Sequence, residues 1–495
     1  MRNDPAIERT GKGIKVTGSQ ARIGLFIDGT WVHDRPSCFD VRNPATEEVI
    51  YSVPGATADD LARALTAADK SFRIWRATPA AERNIVIRRA VALVRDRAEE
   101  IAQAITRENG KLIADARAEV ERSASFFDWD MEQALRAYGT IVPGEAQMQK
   151  MILRAPIGPV AAFTPWNVPL SAPARKLSGA LCSGCSIILK AAEETPTAAV
   201  IIAQCFAQAG LPDGVLNLVF GDPTEISKAL IASPVTRLVT LTGSVGVGKH
   251  LSALAGAAMK RVLMELGGHA AVIVCAGVDA AEIARMAVKS KIRINSQWCA
   301  CPGRFLVHES IYSEFVAAFT QAARNVRLGD GLDPEAEFGP ITSARRMQAM
   351  QHLVEDAVSR GGKIAVGGSR VGERGYFYAP TLLTDIPLDA AVMVEEPFGP
   401  VSGCVPFKTL DEALEIANGL PVGLASFAFT NSLEEAERLT RELDLGVLSI
   451  NHFGAPDPDT PFGGIKDSGV GREGGPWSLE SYMTTKTVLQ KTVRV

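Results

Sequence analysis

The sequence predicts an α/β protein in which a doubly wound parallel sheet is followed by a second α/β domain. After Gly139, short β-rich runs alternate with helical runs at the spacing of right-handed βαβ units. A second alternating series starts at Arg304. The chain has 495 residues, more than one ordinary core accommodates. Ligands of such sheets bind beyond the carboxyl ends of the strands, which makes a dinucleotide the leading candidate.

The N-terminal part is predicted to contain hairpins followed by helices. Residues 1–21 are polar and are expected to form a mobile arm. Between Gly24 and Ser52, the turn signals Asp28-Gly29 and Asn43-Pro44 separate short β-rich runs, which indicates hairpins. Amphipathic helices are predicted over 57–75, 79–107 and 113–138.

The two α/β series are predicted as follows. Strands of the first series cover 160–163, 187–190, 216–220, 237–241, 262–264 and 272–275, and its helices cover 170–181, 197–208, 224–231 and 245–259. In the second series, strands cover 304–307, 401–407, 426–430 and 446–451, and helices cover 312–326, 345–360 and 432–443. The C-terminal run 485–495 alternates apolar and polar residues and has no hairpin partner nearby, so it needs a sheet elsewhere, another subunit included.

Composition excludes several classes of protein. A net charge of −4 supplies no basic field for nucleic acid or an anionic membrane surface. The N-terminus has no signal-peptide core, and the longest apolar run is too short to cross a membrane, so we expect a cytoplasmic protein. Eight scattered cysteines form no disulfide framework. Cys182 and Cys185 have CxxC spacing, but no second pair or histidine cluster completes a metal site, and no metal is expected.

Cys299 is the candidate nucleophile. It follows an amphipathic helical segment, and Pro302-Gly303 should keep the helix from continuing, which places the thiol on a loop. Cations nearby in sequence are expected to lower the pKa of this thiol; they are Lys289, Lys291, Arg293 and Arg304. The alternative is a small buried apolar residue, since cysteine is among the most buried residue types.

A glycine-rich segment from Gly243 to Lys249 lies after a predicted strand and before a predicted helix. It nearly matches the phosphate loop of nucleotide triphosphatases, but His250 stands where a magnesium-binding Ser or Thr is needed. Gly243 and Ser244 at a helix N-terminus still offer backbone N–H groups and a helix dipole to a pyrophosphate. The usual G-x-G-x-x-G fingerprint is absent from this region.

Several separate motifs resemble those of the aldehyde dehydrogenase superfamily, over nearly the whole chain from residue 24 to residue 495. They are Pro165-Trp166-Asn167-Val168-Pro169, Lys190-Ala-Ala-Glu193, Glu265-Leu266-Gly267-Gly268, the Gln297-Trp298-Cys299 stretch, Glu396-Pro397-Phe398-Gly399-Pro400 and the segment 461–473. The chain departs from the usual pattern at Val168, where the family has Phe, and at Ser296, where it has Gly. The likeness is greatest to the branch that resembles succinate-semialdehyde dehydrogenases.

The resemblance implies a catalytic set. Cys299 is the nucleophile that forms a thiohemiacetal and then a thioester, Asn167 and the Cys299 N–H hold the oxyanion, and Glu265 is the general base for hydrolysis. Taken alone, Asn167 would be a turn residue and Glu265 a capping carboxylate. Two alternative functions are a CoA-acylating or phosphate-releasing enzyme and a catalytically inactive dinucleotide-binding protein. The presence of Glu265 counts against the first, and the presence of Cys299, Asn167 and Glu265 together counts against the second.

The resemblance also implies a dinucleotide cofactor. The cofactor-binding residues are expected to be Thr164, Pro165, Trp166, Lys190, Glu193, Gly221, Gly243, Ser244, Leu266, Gly267, Glu396 and Phe398. A Lys190–Glu193 pair suits a ribose diol, whereas the carboxylate of Glu193 would repel a 2′-phosphate, which favours NAD over NADP. A solvated charged loop is the alternative for this pair.

The fold implied is that of the family: a Rossmann-like NAD-binding domain, an α/β catalytic domain and a small β oligomerisation element. NAD binding is assigned to 22–137 and 157–266, catalysis to 267–465, and an oligomerisation sheet to 138–156 and 480–495. The assembly expected is a homodimer or homotetramer.

Substrate choice is predicted from Arg175 and Arg293, which resemble the carboxylate-binding arginines of succinate-semialdehyde dehydrogenases. A short semialdehyde acid such as succinate semialdehyde is therefore expected, with Cys301 and Phe462 also near it. The alternatives are that Asp457 and Asp459 neutralise these arginines, or that the substrate is an uncharged aliphatic or aromatic aldehyde. The spacing of Cys299 and Cys301 permits a disulfide if their α-carbons approach within ~7 Å, which suggests reversible inactivation by peroxide.

Overall fold

The computed structural model describes residues 22–145, 147–454 and 456–491. The arm predicted for residues 1–21 and the end of the predicted C-terminal strand, 492–495, lie outside the described residues. Among the described helices, none combines the length and the apolar content needed to cross a membrane.

The N-terminal part forms the predicted hairpins and then packs as helices. The strands are β1 (Leu25–Ile27), β2 (Thr30–Val32), β3 (Ser37–Arg42) and β4 (Val49–Pro54), and the helices are α1 (Ala58–Trp75), α2 (Ala80–Asp96), α3 (Ala98–Asn109) and α4 (Ile113–Ala134). The single helix predicted over 79–107 is wrong. The backbone of Arg97, with φ −100° and ψ 17°, ends α2 and begins α3. No proline, glycine or capping residue marks this break.

The strand–helix alternation of the first series is confirmed, with boundaries shifted by a few residues. Its elements are preceded by β5 (Thr140–Val142) and β6 (Met148–Pro156) and are β7 (Val160–Phe163), α5 (Ser171–Ser183), β8 (Ile187–Lys190), α6 (Thr197–Gln208), β9 (Leu216–Val219), α7 (Pro223–Ala232), β10 (Leu238–Gly243), α8 (Val245–Ala257) and β11 (Arg261–Leu266). Strands β7, β8 and β9 are buried along their whole length, as parallel strands covered by helices on both faces must be.

The second series is β12 (Ala270–Val274), α9 (Ala280–Ile292), β13 (Pro302–His308), α10 (Glu309–Arg324), α11 (Ala344–Ser359), β14 (Lys363–Val366), β15 (Thr381–Thr384), α12 (Ala391–Val394), β16 (Val401–Phe407), α13 (Leu410–Asn418), β17 (Val422–Gly423), β18 (Ala425–Phe429), α14 (Leu433–Glu442) and β19 (Val447–Ile450). It is followed by β20 (Ile465–Lys466), β21 (Gly469–Val470) and β22 (Met483–Lys491).

Two large sheets organise these elements. The first has the order β2-β1-β9-β8-β7-β10-β11-β21, and the second has the order β14-β15-β16-β13-β12-β18-β19. The strand predicted over 272–275 was grouped with the first series, which is wrong, because β12 pairs with β13 and β18 in the second sheet. Alternation along the chain does not reveal that a short connection after β11 takes the chain from one sheet to the other.

The first sheet contains a topological switch point. The chain runs outward from β7 through β8 to β9, then returns to place β10 on the other side of β7, with all these strands parallel. A crevice therefore opens beyond the carboxyl ends of β7 and β10, the usual ligand position in doubly wound sheets.

The C-terminal strand finds its partner in the same chain. Strand β22 pairs antiparallel with β6 from Met483↔Pro156 to Lys491↔Met148, and β5 extends this small sheet. Near it in sequence, β21 adds to the first sheet beside β11, with Gly469 opposite Glu265. The segment around 463–470 is thereby held against the end of β11.

Candidate active site

A cavity of about 600 Å³ lies beyond the carboxyl ends of β7, β10 and β11, where it meets the loop that carries Cys299. It brings together Cys299, Glu265 and Asn167. Other predicted site residues that line it are Pro165, Trp166, Gly243, Ser244, Leu266, Gly267, Glu396, Phe398, Arg175, Arg293 and Phe462. The remaining predicted site residues lie outside its lining; they are Thr164, Lys190, Glu193, Gly221 and Cys301.

The loop that presents Cys299 begins where the amphipathic segment was expected to end, near Arg293, but Pro302 and Gly303 are not what ends the helix. Helix α9 ends at Ile292, whereas Pro302 and Gly303 begin β13. Between them, Ile294, Asn295 and Ser296 adopt left-handed backbone conformations, with φ of 49°, 51° and 61°. Residues with a Cβ rarely adopt this conformation. The glycine usual at the Ser296 position in the family motif would relieve part of this strain.

Tertiary hydrogen bonds fix this strained turn. The Asn295 side chain donates to Pro340 O at 2.8 Å and accepts from Gly339 N at 3.1 Å. The Ile294 N–H donates to the Asp115 carboxylate at 3.0 Å. Such surrounding contacts allow a strained backbone to persist at functional sites. The turn is therefore a fixed support for Cys299.

The environment of Cys299 is not the cationic one that its sequence neighbours suggested. Burial raises the pKa of the thiol to about 12, and the carboxyl groups of Glu396 and Glu265 act in the same direction. The cations face other groups: Lys291 Nζ donates to backbone carbonyls in β13 and β16, and Arg304 donates to carbonyls of the β11–β12 connection and α13. The prediction of a lowered pKa is therefore wrong, because neighbours in sequence are not neighbours of the sulfur.

Asn167 follows β7 and is buried in the cavity wall. Its Nδ2 donates to Gln297 O at 2.9 Å, in the segment just before Cys299. An amide nitrogen carries two hydrogens, so one remains for a ligand. The backbone carbonyl of Asn167 accepts from Lys111 Nζ at 2.7 Å.

Glu265 lies near the end of β11 and is 4% exposed. Neither of its carboxyl oxygens has a hydrogen-bond donor among the described residues. Burial raises the pKa of Glu265 well above the usual carboxyl value, and the charge of Glu473 adds to this rise. Glu473 itself forms a buried ion pair with Lys176 at 2.6 Å. An unpartnered carboxyl group with a raised pKa is suited to accept a proton from water.

Glu396 and Phe398 close the cavity on the side of the second sheet. Burial raises the pKa of Glu396 to about 8. A Cβ added at Gly267 would clash with the Glu396 carboxylate, which would then have to move. The Phe398 ring meets the Trp166 ring edge-on at 5.5 Å. These residues line the same cavity as Cys299.

The groups expected to hold a dinucleotide lie around the switch point. Lys190 Nζ pairs with Glu193 at 2.6 Å, and Glu193 also accepts from the Gly221 N–H at 2.8 Å. Ser244 caps α8, whose first turn contains no acidic residue. The buried Thr164 hydroxyl has no hydrogen-bond partner among the described residues. The Lys190–Glu193 pair suits a ribose diol, the N-terminus of α8 suits an anion, and the Thr164 hydroxyl suits a further polar group. This combination fits a dinucleotide.

Several arginines line the cavity, including the predicted Arg175 and Arg293. The Arg175 guanidinium lies 3.7 Å over the Phe126 ring, and that of Arg293 lies 5.5 Å from the Trp298 ring. Arg122 on α4 joins them. Burial lowers the pKa of Arg122, and repulsion by Arg175 lowers it further. Among the described residues neither Asp457 nor Asp459 forms an ion pair with an arginine, although the charge of Asp457 raises the pKa of Arg122.

Cys301 does not share the cavity with Cys299. It is 9% exposed, and its Sγ is directed at Lys291 O, 3.7 Å away. Its role in substrate binding or in a disulfide stays a prediction.

Sequence reasoning missed several charged residues that line the site or pair with residues that line it. They are Lys111, Glu119, Arg122, Lys176 and Glu473. Glu473 lies in the quoted segment 461–473 and Lys176 directly follows Arg175, but their pairing across 297 residues has no signal in a single sequence. Arg122 lies on an amphipathic helix where a solvated charge is the ordinary expectation.

No group of three or more His, Cys, Asp or Glu side chains in the described ranges is arranged to hold a metal ion.

Comparisons with known proteins give a family match, similar sequences and similar solved structures. The profile of the family described as "Aldehyde dehydrogenase family" matches residues 31–488. A 4-(hydroxymethyl)benzenesulfonate dehydrogenase of Comamonas testosteroni is 46% identical over 467 residues, covering 93% of this chain and 97% of that protein. The mitochondrial succinate-semialdehyde dehydrogenase of Arabidopsis thaliana is 38% identical over 94% of this chain and 88% of that protein. The crystal structure of a succinate-semialdehyde dehydrogenase from Burkholderia pseudomallei superposes with a TM-score of 0.94 at 34% identity, covering 97% of this chain and 100% of that one.

Proposed function

The chain belongs to the aldehyde dehydrogenase family and is an oxidoreductase, and from this premise we propose that it oxidises an aldehyde to a carboxylic acid with Cys299 as the nucleophile. The observation that supports this most is the convergence of Cys299, Asn167 and Glu265 on one cavity. Residues 265, 167 and 299 come from three separate segments of the chain. A cysteine without a catalytic role would not require an amide donor and a carboxylate in the same cavity.

In the first half-reaction the Cys299 sulfur, as thiolate, bonds to the aldehyde carbon and the carbonyl oxygen becomes an oxyanion. The free N–H of the Asn167 amide and the Cys299 N–H donate to this oxygen. Donors of this kind are worth roughly 2.7–4 kcal/mol in the transition state. When bound, the nicotinamide supplies the acceptor for the hydride that leaves the same carbon, and the acyl group stays on Cys299 as a thioester.

In the second half-reaction Glu265 removes a proton from water as the water oxygen bonds to the thioester carbon. The carbon–sulfur bond then breaks, which releases the carboxylic acid and returns Cys299 as thiolate. The raised pKa of Glu265, caused by its burial, fits this role, because a raised pKa makes a carboxylate a stronger base. The charge of Glu473 raises this pKa further, and its partner Lys176 lowers it.

The cofactor proposed is NAD rather than NADP. Glu193 is held in place from two sides, by Lys190 and by the Gly221 N–H. A carboxylate fixed there accepts from a ribose diol and repels a 2′-phosphate. Comparison of the two cofactors at equal concentration tests this preference.

The substrate proposed is an aldehyde that carries an anionic group. Arg122, Arg175 and Arg293 line the cavity. Among the carboxylates, Glu473 has the largest effect on the pKa of Arg175, but Glu473 is already paired with Lys176. A carboxylate or sulfonate would accept charge-assisted hydrogen bonds from these guanidiniums. The relatives named for succinate semialdehyde and for an aromatic sulfonate support this choice.

We place the enzyme in the cytoplasm as a homo-oligomer. The small sheet of β5, β6 and β22 exposes apolar side chains, with Ile141 71% and Leu489 66% exposed. Such a surface favours burial against another subunit. The proposal therefore keeps this sheet as the oligomerisation element that was expected over 138–156 and 480–495.

The proposal is tested by NADH formation, followed by absorbance, from succinate semialdehyde, 4-formylbenzenesulfonate, benzaldehyde and butanal. Oxidation of the anionic aldehydes, lost in Cys299→Ser, is the expected result. Absence of NADH formation from every aldehyde would remove the assignment.

A further inference from the structure

A buried ion pair supports the turn that carries Asn167. Lys111 follows α3 and is fully buried, and its Nζ lies 2.6 Å from Glu119 Oε2 on α4. The same Nζ lies 2.7 Å from the backbone carbonyl of Asn167. A buried ammonium group has three donors to satisfy, so this carbonyl is part of its solvation.

Glu119 completes the support from the other side. Its Oε1 accepts from Leu170 N at 2.9 Å and from Ser171 N at 3.0 Å, the first N–H groups of α5. Leu170 occupies the N-cap position and has no side chain able to cap the helix. Glu119, from another helix, supplies the missing cap and a charge that suits the helix dipole.

Both oxygens of Glu119 are therefore engaged, although the residue borders the cavity. It is not free to act as an acid or a base. Its partner Lys111 does not line the cavity. The pair therefore forms hydrogen bonds to the backbone on both sides of Pro169, at Asn167 O and at the N–H groups of Leu170 and Ser171.

We infer that Lys111 and Glu119 are positioning residues that fix the Asn167 amide for the oxyanion, so that formation of the acyl-enzyme depends on a charge pair that does not touch the substrate. This inference rests on the proposed role of Asn167. Lys111 holds the carbonyl end of the turn, and Glu119 holds the start of α5. A shift of about 1 Å in such a donor lowers a rate about 100-fold.

The test uses the full-length enzyme with Lys111→Met and Glu119→Gln combined, which leaves no lone buried charge, and with Glu119→Gln alone. The burst rate of NADH formation should fall about 100-fold in the combined variant, while the Kd for NAD stays within about twofold. Glu119→Gln alone keeps an acceptor for the α5 amides, and we expect a smaller loss. In an Asn167→Ala background, the combined change should cost less than about threefold, because the donor it positions is gone.

Two results would overturn the inference. In the first, the combined change lowers the burst rate by the same factor in the Asn167→Ala background as in wild type. That result is expected if the pair acts only through general stability. The second result comes from hydrogen exchange in a peptide spanning 165–175, a measurement that does not depend on enzyme activity. Exchange should be faster in the combined variant than in wild type. Unchanged exchange would show that the pair does not hold the turn. Lys363→Met is the matched control, since it breaks an exposed Lys363–Asp385 pair of 2.9 Å and should change neither readout. If wild type oxidised no aldehyde, the proposed function would be wrong. The hydrogen-exchange result would still show whether Lys111 and Glu119 hold the turn.

Discussion

Replacing Arg175 by leucine should convert an enzyme that prefers anionic aldehydes into one that does not. Arg175 lies over the Phe126 ring within the cavity wall, and leucine preserves apolar contact there while removing the guanidinium. Charge-assisted hydrogen bonds contribute roughly 1.5–3 kcal/mol, which corresponds to a factor of about 10–150 in kcat/KM. We expect a loss of that size for succinate semialdehyde or 4-formylbenzenesulfonate.

A neutral aldehyde of similar length separates anion binding from general damage. Its kcat/KM should change by less than about threefold in Arg175→Leu, because no hydrogen bond to the substrate is removed. Burial lowers the pKa of Arg175, which means that its charge is disfavoured in the folded protein. Leucine should therefore leave the Tm no lower than in wild type.

The assay is steady-state kinetics on both classes of aldehyde in wild type, Arg175→Leu and Arg293→Ala. Arg285→Leu is the control, since Arg285 lies on α9 and pairs with Glu282 at the surface. Preference of wild type for the neutral aldehyde, or an equal loss on both substrates, would refute the anion site.

The other expectations concern the thiols. Cys299→Ser should abolish aldehyde oxidation and leave the Kd for NAD unchanged, as titrated by fluorescence; substantial turnover by this variant would exclude Cys299 as the nucleophile. Because burial raises the pKa of Cys299 to about 12, labelling of the cofactor-free enzyme by iodoacetamide should quicken about tenfold per pH unit from about pH 7 to pH 10, and a plateau near pH 8 would contradict this. If Cys299 and Cys301 form a disulfide, inactivation by peroxide should be reversed by thiols in wild type but not in Cys301→Ala; equal recovery in both speaks against the pair.

The fold was largely predictable because its elements carry local signals. The βαβ alternation is visible as buried apolar runs such as 187–190, which match β8 residue for residue. The break at Arg97 was missed because it has no local breaker. The membership of β12 in the second sheet was missed because sheet partners are set by tertiary pairing, which leaves no mark in the alternation.

The residues that line the candidate site were largely predictable, whereas its electrostatics were not. The motifs around Asn167, Glu265 and Cys299 were recognisable, and the cavity unites them. The pKa of Cys299 was misjudged because sequence proximity does not say which way Lys291 and Arg304 point. Pairs such as Lys111–Glu119 and Lys176–Glu473 depend on contacts between distant elements, which a single sequence does not reveal.

The central claim is that one catalytic cycle passes through an acyl group on Cys299 which Glu265 then allows water to remove. The most direct measurement is the mass of the Cys299 peptide after Glu265→Gln has been mixed with NAD and an aldehyde, with NADH counted in the same sample. The account predicts about one NADH per chain, no further turnover, and the acyl mass on Cys299. Continued turnover, or NADH without an acyl group on Cys299, would contradict it.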